Sequence, residues 1–328
     1  MNKKKILLVA LVLVIAGLWW LALRPIPEKV TYGVSFSVLH ANELKLDWKK
    51  VYVAILDDLN VKKLRLSAHW PMIEPTKGDF NWSEMDYQIQ EAEKHNAEVI
   101  LAVGRRLPGW PECHEPTWAY TMSKEEKRAA LLEYITQTIN HYKNSKAIKY
   151  WQIENEPFLT RYATYHCENF LDLEFLQKEI ALVKSLDPSR QIIVTDSGEI
   201  SLWYKAYKTG DVFGTTMYLY IWNHYFGPMR YPIPPAFFRI KRSIVEQIYG
   251  PKEALLIELS GEPWLLEPIV DTDIKVQLEQ MNLERFDYIL NFAQKSGFET
   301  QYLWGAEWWY YMKENNHPEF WNRAQEIF

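Results

Sequence analysis

From Val30 onward the chain alternates between short, near-continuous apolar runs and longer stretches with apolar positions at helical spacing. Val30–Ser37, Val61–Ser67, Ala97–Gly104, Lys149–Pro157, Gln191–Asp196, Val212–Tyr218, Ala254–Glu258 and Thr300–Trp304 read as strands. Helices are predicted over Asp47–Leu56, Ser83–His95, Ser123–Tyr142, Asn169–Leu186, Ser201–Lys208, Ala236–Tyr249 and Asp273–Gln294, with Pro318–Phe328 closing the chain. Asp47 and Ser83 are suited to capping the helices they open, and Asp187-Pro188 stops the one before it. Runs apolar on both faces belong to parallel strands covered by helices, and eight βα units is the number that closes into a (β/α)8 barrel. A doubly wound open sheet is the competing α/β arrangement, but no Gly-rich turn follows the first strand.

A barrel of this kind carries its working groups at the C-terminal ends of its strands. Arg65 and His69-Trp70 end strand two, Arg105-Arg106 follow strand three, and Asn155-Glu156 end strand four. Asp196-Ser197-Gly198-Glu199 ends strand five, Tyr218 and Tyr220 end strand six, Glu258 ends strand seven and Trp304 ends strand eight. Core packing does not explain polar and aromatic groups at so many tips. At two of them an apolar strand delivers a glutamate to its tip: KYWQIENEP presents Glu156 before Pro157 stops the ladder, and ALLIE presents Glu258. Two carboxyls on strand tips suit cleavage of a glycosidic bond. Glu154 shares the strand parity of Glu156 and needs a partner if it lines the barrel. Glu74 and Glu262, each before a proline, read as loop residues.

Composition narrows the partners. The 328 residues suit one large barrel or two average domains, and no linker divides them. A formal net charge of -5 with no long Lys/Arg run excludes a nucleic-acid footprint. With 15 Trp and 20 Tyr the chain is unusually aromatic; most of these belong to the core, but those at strand ends and in loops offer flat faces to sugar rings. No pattern calls for a cofactor or a catalytic metal.

Residues 1–27 form a separate unit ahead of the catalytic domain at 28–328. Lys3, Lys4 and Lys5 precede an apolar run from Ile6 to Leu23, about the length that spans a hydrocarbon core. Trp19 and Trp20 sit where a membrane interface holds them, and no Ala-x-Ala pattern follows, so a transmembrane signal anchor is expected rather than a cleaved, secretory peptide. The basic flank keeps the N-terminus cytoplasmic, which leaves the rest extracytoplasmic. In an oxidising compartment Cys113 and Cys167 are disulfide candidates. Two free thiols, or a zinc site with the adjacent His114 and His166, are the other readings, the last without CxxC or HxxxH spacing.

On these motifs the chain from about Val30 resembles the clan of retaining (β/α)8 glycoside hydrolases, with the acid/base on strand four and the nucleophile on strand seven. Asn155-Glu156-Pro157 is similar to the clan's strand-four motif, and Ile257-Glu258 with its apolar lead-in to strand seven. The resemblance implies Glu156 as acid/base and Glu258 as nucleophile, with Glu262 the rival for the second role. Arg65, Tyr218 and Trp304 fall at the clan's supporting positions, and Asn155 would bond the 2-hydroxyl of a β-linked sugar. Trp70 is a further candidate for substrate contact. The expected activity is a membrane-anchored β-glycosidase with a covalent intermediate shared by hydrolysis and transglycosylation. A catalytically silent, carbohydrate-binding barrel is the alternative.

Overall fold

The computed structural model describes residues 5–6, 12, 16–17, 20–109, 112–159, 172–223 and 225–328. Its strands are β1 (Thr31–Ser35), β2 (Lys63–Ser67), β3 (Glu98–Val103), β4 (Ile148–Ile153), β5 (Gln191–Asp196), β6 (Val212–Met217), β7 (Tyr220–Asn223), β8 (Gly227–Arg230), β9 (Ala254–Ser260) and β10 (Thr300–Trp304). Eight of them form a closed parallel barrel in the order β1-β10-β9-β6-β5-β4-β3-β2, and β7 and β8 pair as a separate hairpin. The barrel is therefore the expected (β/α)8 arrangement, and β9 and β10 are its seventh and eighth strands.

Period-two alternation sorts the aliphatic residues into two cores. Ile100, Ile193, Val212, Leu255, Ile257 and Tyr302 pack together inside the barrel. Their strand neighbours Val99, Leu101, Val194, Phe213 and Leu256 join the larger core between barrel and helices. Both faces of each strand are thus buried, which is why the runs look continuous rather than alternating.

Several helix ends follow their sequence signals. Asp47 accepts N–H bonds from Lys49 and Lys50 at 3.2 and 3.4 Å, opening Trp48–Asp57. Ser123 and Glu126 form a reciprocal capping box for Lys124–Tyr142. Ser83 does not cap; it is the first residue of Ser83–Lys94, and its hydroxyl donates to Asn81 Oδ1 at 2.7 Å. The single helix expected over Asp273–Gln294 is two, Ile274–Gln280 and Leu283–Lys295, because Asn282 takes the N–H of Arg285 and starts a new helix. A helix over Ala306–Glu314 follows β10 directly, ahead of the closing Glu319–Gln325. Most of Ile6–Leu23 lies outside the described residues, and among the described residues no helix is long and apolar enough to cross a membrane.

Candidate active site

Strand parity turns Arg65 inward, since Leu64 and Leu66 on either side of it belong to the outer core. The buried guanidinium, 1% exposed, reaches across the barrel mouth. Its Nε donates to Gln152 Oε1 on β4 and its Nη2 to Asn155 Oδ1, both at 2.8 Å, while Nη1 pairs with Glu258 Oε2. With its oxygen so engaged, Asn155 keeps its amide N–H groups free of any described partner.

The same parity rule sends Glu258 the wrong way. Leu255 and Ile257 face the interior and Leu256 the outside, so strict alternation turns Glu258 out. A bulge reverses this. Thr215 and Thr216 of β6 pair with Leu256 and Glu258, and Gln301 and Leu303 of β10 pair with Leu256 and Leu259. β9 thus carries one extra residue against both neighbours, which re-aims the side chain after it. Glu258 meets Arg65 on one oxygen, and on the other accepts the phenol O–H of Tyr218 at 2.6 Å.

Glu156 arrives by a different route. The β4 ladder ends at Ile153, before the Asn-Glu-Pro rather than at Pro157, and the backbone then becomes left-handed at Glu154 (φ 58°) and Glu156 (φ 44°). Such conformations are costly outside glycine and persist where the surroundings hold them. Asn155 N–H donates to the Arg106 carbonyl at 2.6 Å, Arg106 Nη1 donates to the carbonyls of Glu156 and Leu159 at 2.8 Å each, and Glu156 N–H donates to Thr195 Oγ1 at 2.8 Å. The buried Glu154 has the partner its position requires: its carboxylate accepts the backbone N–H groups of Arg105 and Arg106 at 2.9 and 2.5 Å. That approach needs Gly104 (φ 139°), where a Cβ would lie 2.6 Å from the Glu154 carboxyl carbon.

The Glu156 carboxyl accepts from Thr216 Oγ1 at 2.7 Å. Thr216 is also the register partner of Glu258 on the adjoining strand, about 4.8 Å away, so one residue ties the two glutamates to a common locus. Burial pushes the Glu156 pKa well above the usual carboxylate range, and the negative charges of Glu112 and Glu258 push the same way; Arg106 and the Thr216 hydroxyl oppose them. Tyr218 is likewise held protonated, by burial and by the Glu258 charge.

Trp304, at the end of β10, pairs in register with Ser260 of β9. Its indole N–H donates to Glu262 Oε1 at 2.7 Å, and its ring stacks on His40 at 5.5 Å. His40 Nε2 meets the other Glu262 oxygen at 2.7 Å, so both Glu262 oxygens are taken by Trp304 and His40, while Glu258 faces Arg65 and Tyr218. Trp70 does not join the site. The chain turns into a short helix, Trp70–Ile73, just past β2, and the indole is fully buried against Trp118 and Tyr134 with its N–H on Glu74. Glu74 in turn accepts the Gly78 N–H at 2.7 Å, a loop role. Cys113 is disulfide-bonded; Cys167 and His166 lie outside the described residues. His114 packs edge-on against His69 at 4.3 Å, and among the described residues no cluster of His, Cys, Asp or Glu has the makings of a metal site.

The sequence model of glycosyl hydrolase family 10 matches residues 37–209, more than half of the chain and the part holding Arg65, Asn155 and Glu156. The chain belongs to glycosyl hydrolase family 10. This is one level finer than the clan that the strand-tip motifs resemble. Within curated proteins it is 25% identical over 174 residues to a probable mannan endo-1,4-beta-mannosidase A of Aspergillus flavus, covering 50% of this chain and 43% of that protein. The chain thus spans less than half the length of that relative. Among solved structures it is similar to xylanase 10B from Thermotoga petrophila in complex with xylobiose (TM-score 0.53, 16% identity, 84% of this chain and 82% of that one). It also matches an exo-beta-1,4-mannosidase from an Opitutaceae bacterium (TM-score 0.56, 12% identity, 88% and 55%), a likeness of fold.

Within this family 10 chain, four contributors escaped the sequence reading. Thr195 and Thr216 supply hydroxyls to Glu156, Gln152 orients Arg65, and His40 stacks on Trp304. Gln152 was readable in principle, because it shares the parity of Tyr150 on β4. The others depend on which elements become neighbours.

Proposed function

We propose that this chain is a retaining β-glycoside hydrolase acting on an extracytoplasmic β-1,4-linked polysaccharide of the mannan or xylan kind, with Glu156 as acid/base and Glu258 as nucleophile. The observation that carries the reading is the contrast between the two carboxyls: Glu156 is raised in pKa and touched by one neutral hydroxyl, whereas Glu258 accepts from a guanidinium and a phenol. That is the division a double displacement needs, one group to give a proton to the leaving oxygen and one to attack the anomeric carbon. Attack by Glu258 forms the glycosyl ester as the leaving oxygen takes the Glu156 proton; Glu156 then takes a proton from the incoming water, and the ester bond breaks. A sugar hydroxyl in place of that water gives transglycosylation by the same route. The free Asn155 amide is suited to donate to the 2-hydroxyl, and Trp304 to lie under the ring.

Incubating the protein with β-1,4-mannan, xylan, glucan and galactan, and following the anomer first released by NMR, tests the proposal. Release of β-anomers supports it. Release of α-anomers indicates inversion, and glycan binding without cleavage indicates a silent barrel.

The same reading takes Ile6–Leu23 as a signal anchor. Its support is the apolar run between Lys3–Lys5 and Arg24. Membrane fractionation tests it, since removal of residues 1–27 should release the protein from the pellet. Full-length protein found in the supernatant would overturn the anchor.

A further inference from the structure

The loop after β5 takes no part in the chemistry, yet it touches a neighbour of each glutamate. β5 and β6 pair as far as Asp196 and Thr215, and β6 then runs on to Met217 while residues 197–199 lie against it. Tyr218 follows the end of β6, so its backbone N–H needs a partner from outside the ladder. Glu199 supplies one, its Oε1 accepting that N–H at 2.9 Å. One residue earlier, the Gly198 N–H donates to Thr216 Oγ1 at 3.4 Å, and a Cβ on Gly198 would lie 2.0 Å from the Thr216 carbonyl oxygen, so only glycine lets the loop come this close. Thr216 in turn donates to Glu156, and Tyr218 to Glu258. The loop is fixed from behind as well. The Trp203 indole N–H donates to the Ser197 carbonyl at 2.8 Å, and Lys241 Nζ, from the helix Ala236–Tyr249, to the Gly198 carbonyl at 2.5 Å. That ammonium lies 4.1 Å from the centre of the buried Trp203 ring, and its charge is met by those of Glu199 and Asp196.

Withdrawing three charged groups from water costs desolvation, and apolar side chains would pack the loop as well. What they could not do is accept the Tyr218 N–H. We propose that Glu199 is a positioning residue for the nucleophile: by fixing the Tyr218 backbone it aims the phenol O–H at Glu258. The proposal rests on the glycosidase reading and deepens it, since Glu199 acts on the nucleophile through Tyr218. The phenol bond to Glu258 is 2.6 Å long, and such bonds weaken steeply with misalignment, so a small movement of the Tyr218 backbone is felt at the carboxylate.

The acid limb of kcat/KM, on whichever β-1,4-glycan the full-length protein cleaves, reads the ionisation of the nucleophile. A phenol that donates to the carboxylate favours its ionised form, so misplacing Tyr218 moves that limb up, whereas removing a neighbouring negative charge moves it down. Glu199→Leu does both, and the first should prevail, with an upward shift of about 0.5–1 pH unit. Glu199→Gln drops the charge but keeps an acceptor for the Tyr218 N–H, and should shift the limb downward or not at all. Gly198→Ala keeps every charge and forces the loop off β6, so it should raise the limb as Glu199→Leu does. In a Tyr218→Phe background neither variant should raise it. A limb that falls or stays put in Glu199→Leu, or in Gly198→Ala should the first variant not fold, overturns the proposal whatever happens to kcat; so does a rise that persists after Tyr218→Phe. Carboxyl 13C titration of Glu258, assigned by the signal missing from Glu258→Gln, reads the same group without turnover. An upward shift there in Glu199→Leu, from a parent that cleaves no glycan, keeps the positioning role and sinks the glycosidase reading; active protein with an unmoved Glu258 signal sinks the positioning role alone.

Discussion

The tips of β4 and β9 bring one glutamate each to the same place by opposite means. At β4 the ladder stops early and the carboxyl is carried past it on left-handed backbone, pinned by Arg106, Thr195 and the Gly104 turn. At β9 the ladder continues, and a bulge within it swings Glu258 from the outer to the inner side. The surroundings differ as sharply. Glu156 meets a hydroxyl and repelling carboxylates, and its proton is held; Glu258 meets a cation and a phenol. Two identical side chains, buried to nearly the same degree at 5% and 7% exposed, are thus set to different tasks by their neighbours alone.

The largest break in that comparison is Glu258→Gln, which should take turnover of every substrate to the assay floor, because no other carboxyl can form the glycosyl intermediate. If Glu262→Gln were the dead variant and Glu258→Gln the active one, the β9 assignment would be wrong. Glu156→Ala should lower kcat on polysaccharide by about 10²- to 10⁴-fold, yet spare much of the rate on aryl glycosides whose leaving groups need no proton. Equal losses on both substrates would place Glu156 outside proton transfer.

Gly104→Ala probes the strained tip indirectly. Its new Cβ collides with the Glu154 carboxyl and meets a φ that L-residues avoid, so it should cost about 2–3 kcal/mol in chemical denaturation and lower kcat by moving the Glu156 loop. A fully stable and active variant would show that the tip holds itself. The finest test is Thr216→Val. The hydroxyl favours the ionised form of Glu156, so its loss raises the pKa of the acid further. Activity falls as Glu156 loses its proton, and the alkaline limb of kcat/KM should therefore move up by about 0.5–1 pH unit. A downward shift would mean that the hydroxyl accepts from the protonated acid instead.

How far the sequence could be read follows the range of the forces involved. Eight strands and most helices were legible because period-two and period-3.6 patterns are local and repeat over several residues. Trp70 was misplaced because one indole after a strand tip carries no local sign of whether it turns toward the mouth or back under a loop. The split of Asp273–Gln294 and the extra helix at Ala306–Glu314 turned on single residues, Asn282 and Gly305, inside stretches that otherwise read as continuous.

By itself the sequence determined which carboxyls stand at strand ends, that the strands are buried on both faces and that their number closes a barrel, since each follows from the order of apolar and polar side chains along the backbone. Only the tertiary structure decided that Glu258 faces in against its own parity, that Thr216 serves one glutamate while pairing with the other, and that Trp70 is buried outside the site. Those outcomes depend on hydrogen-bond register and packing between segments tens of residues apart, and no periodicity along the chain encodes which hydroxyl, guanidinium or ring will be met on the other side.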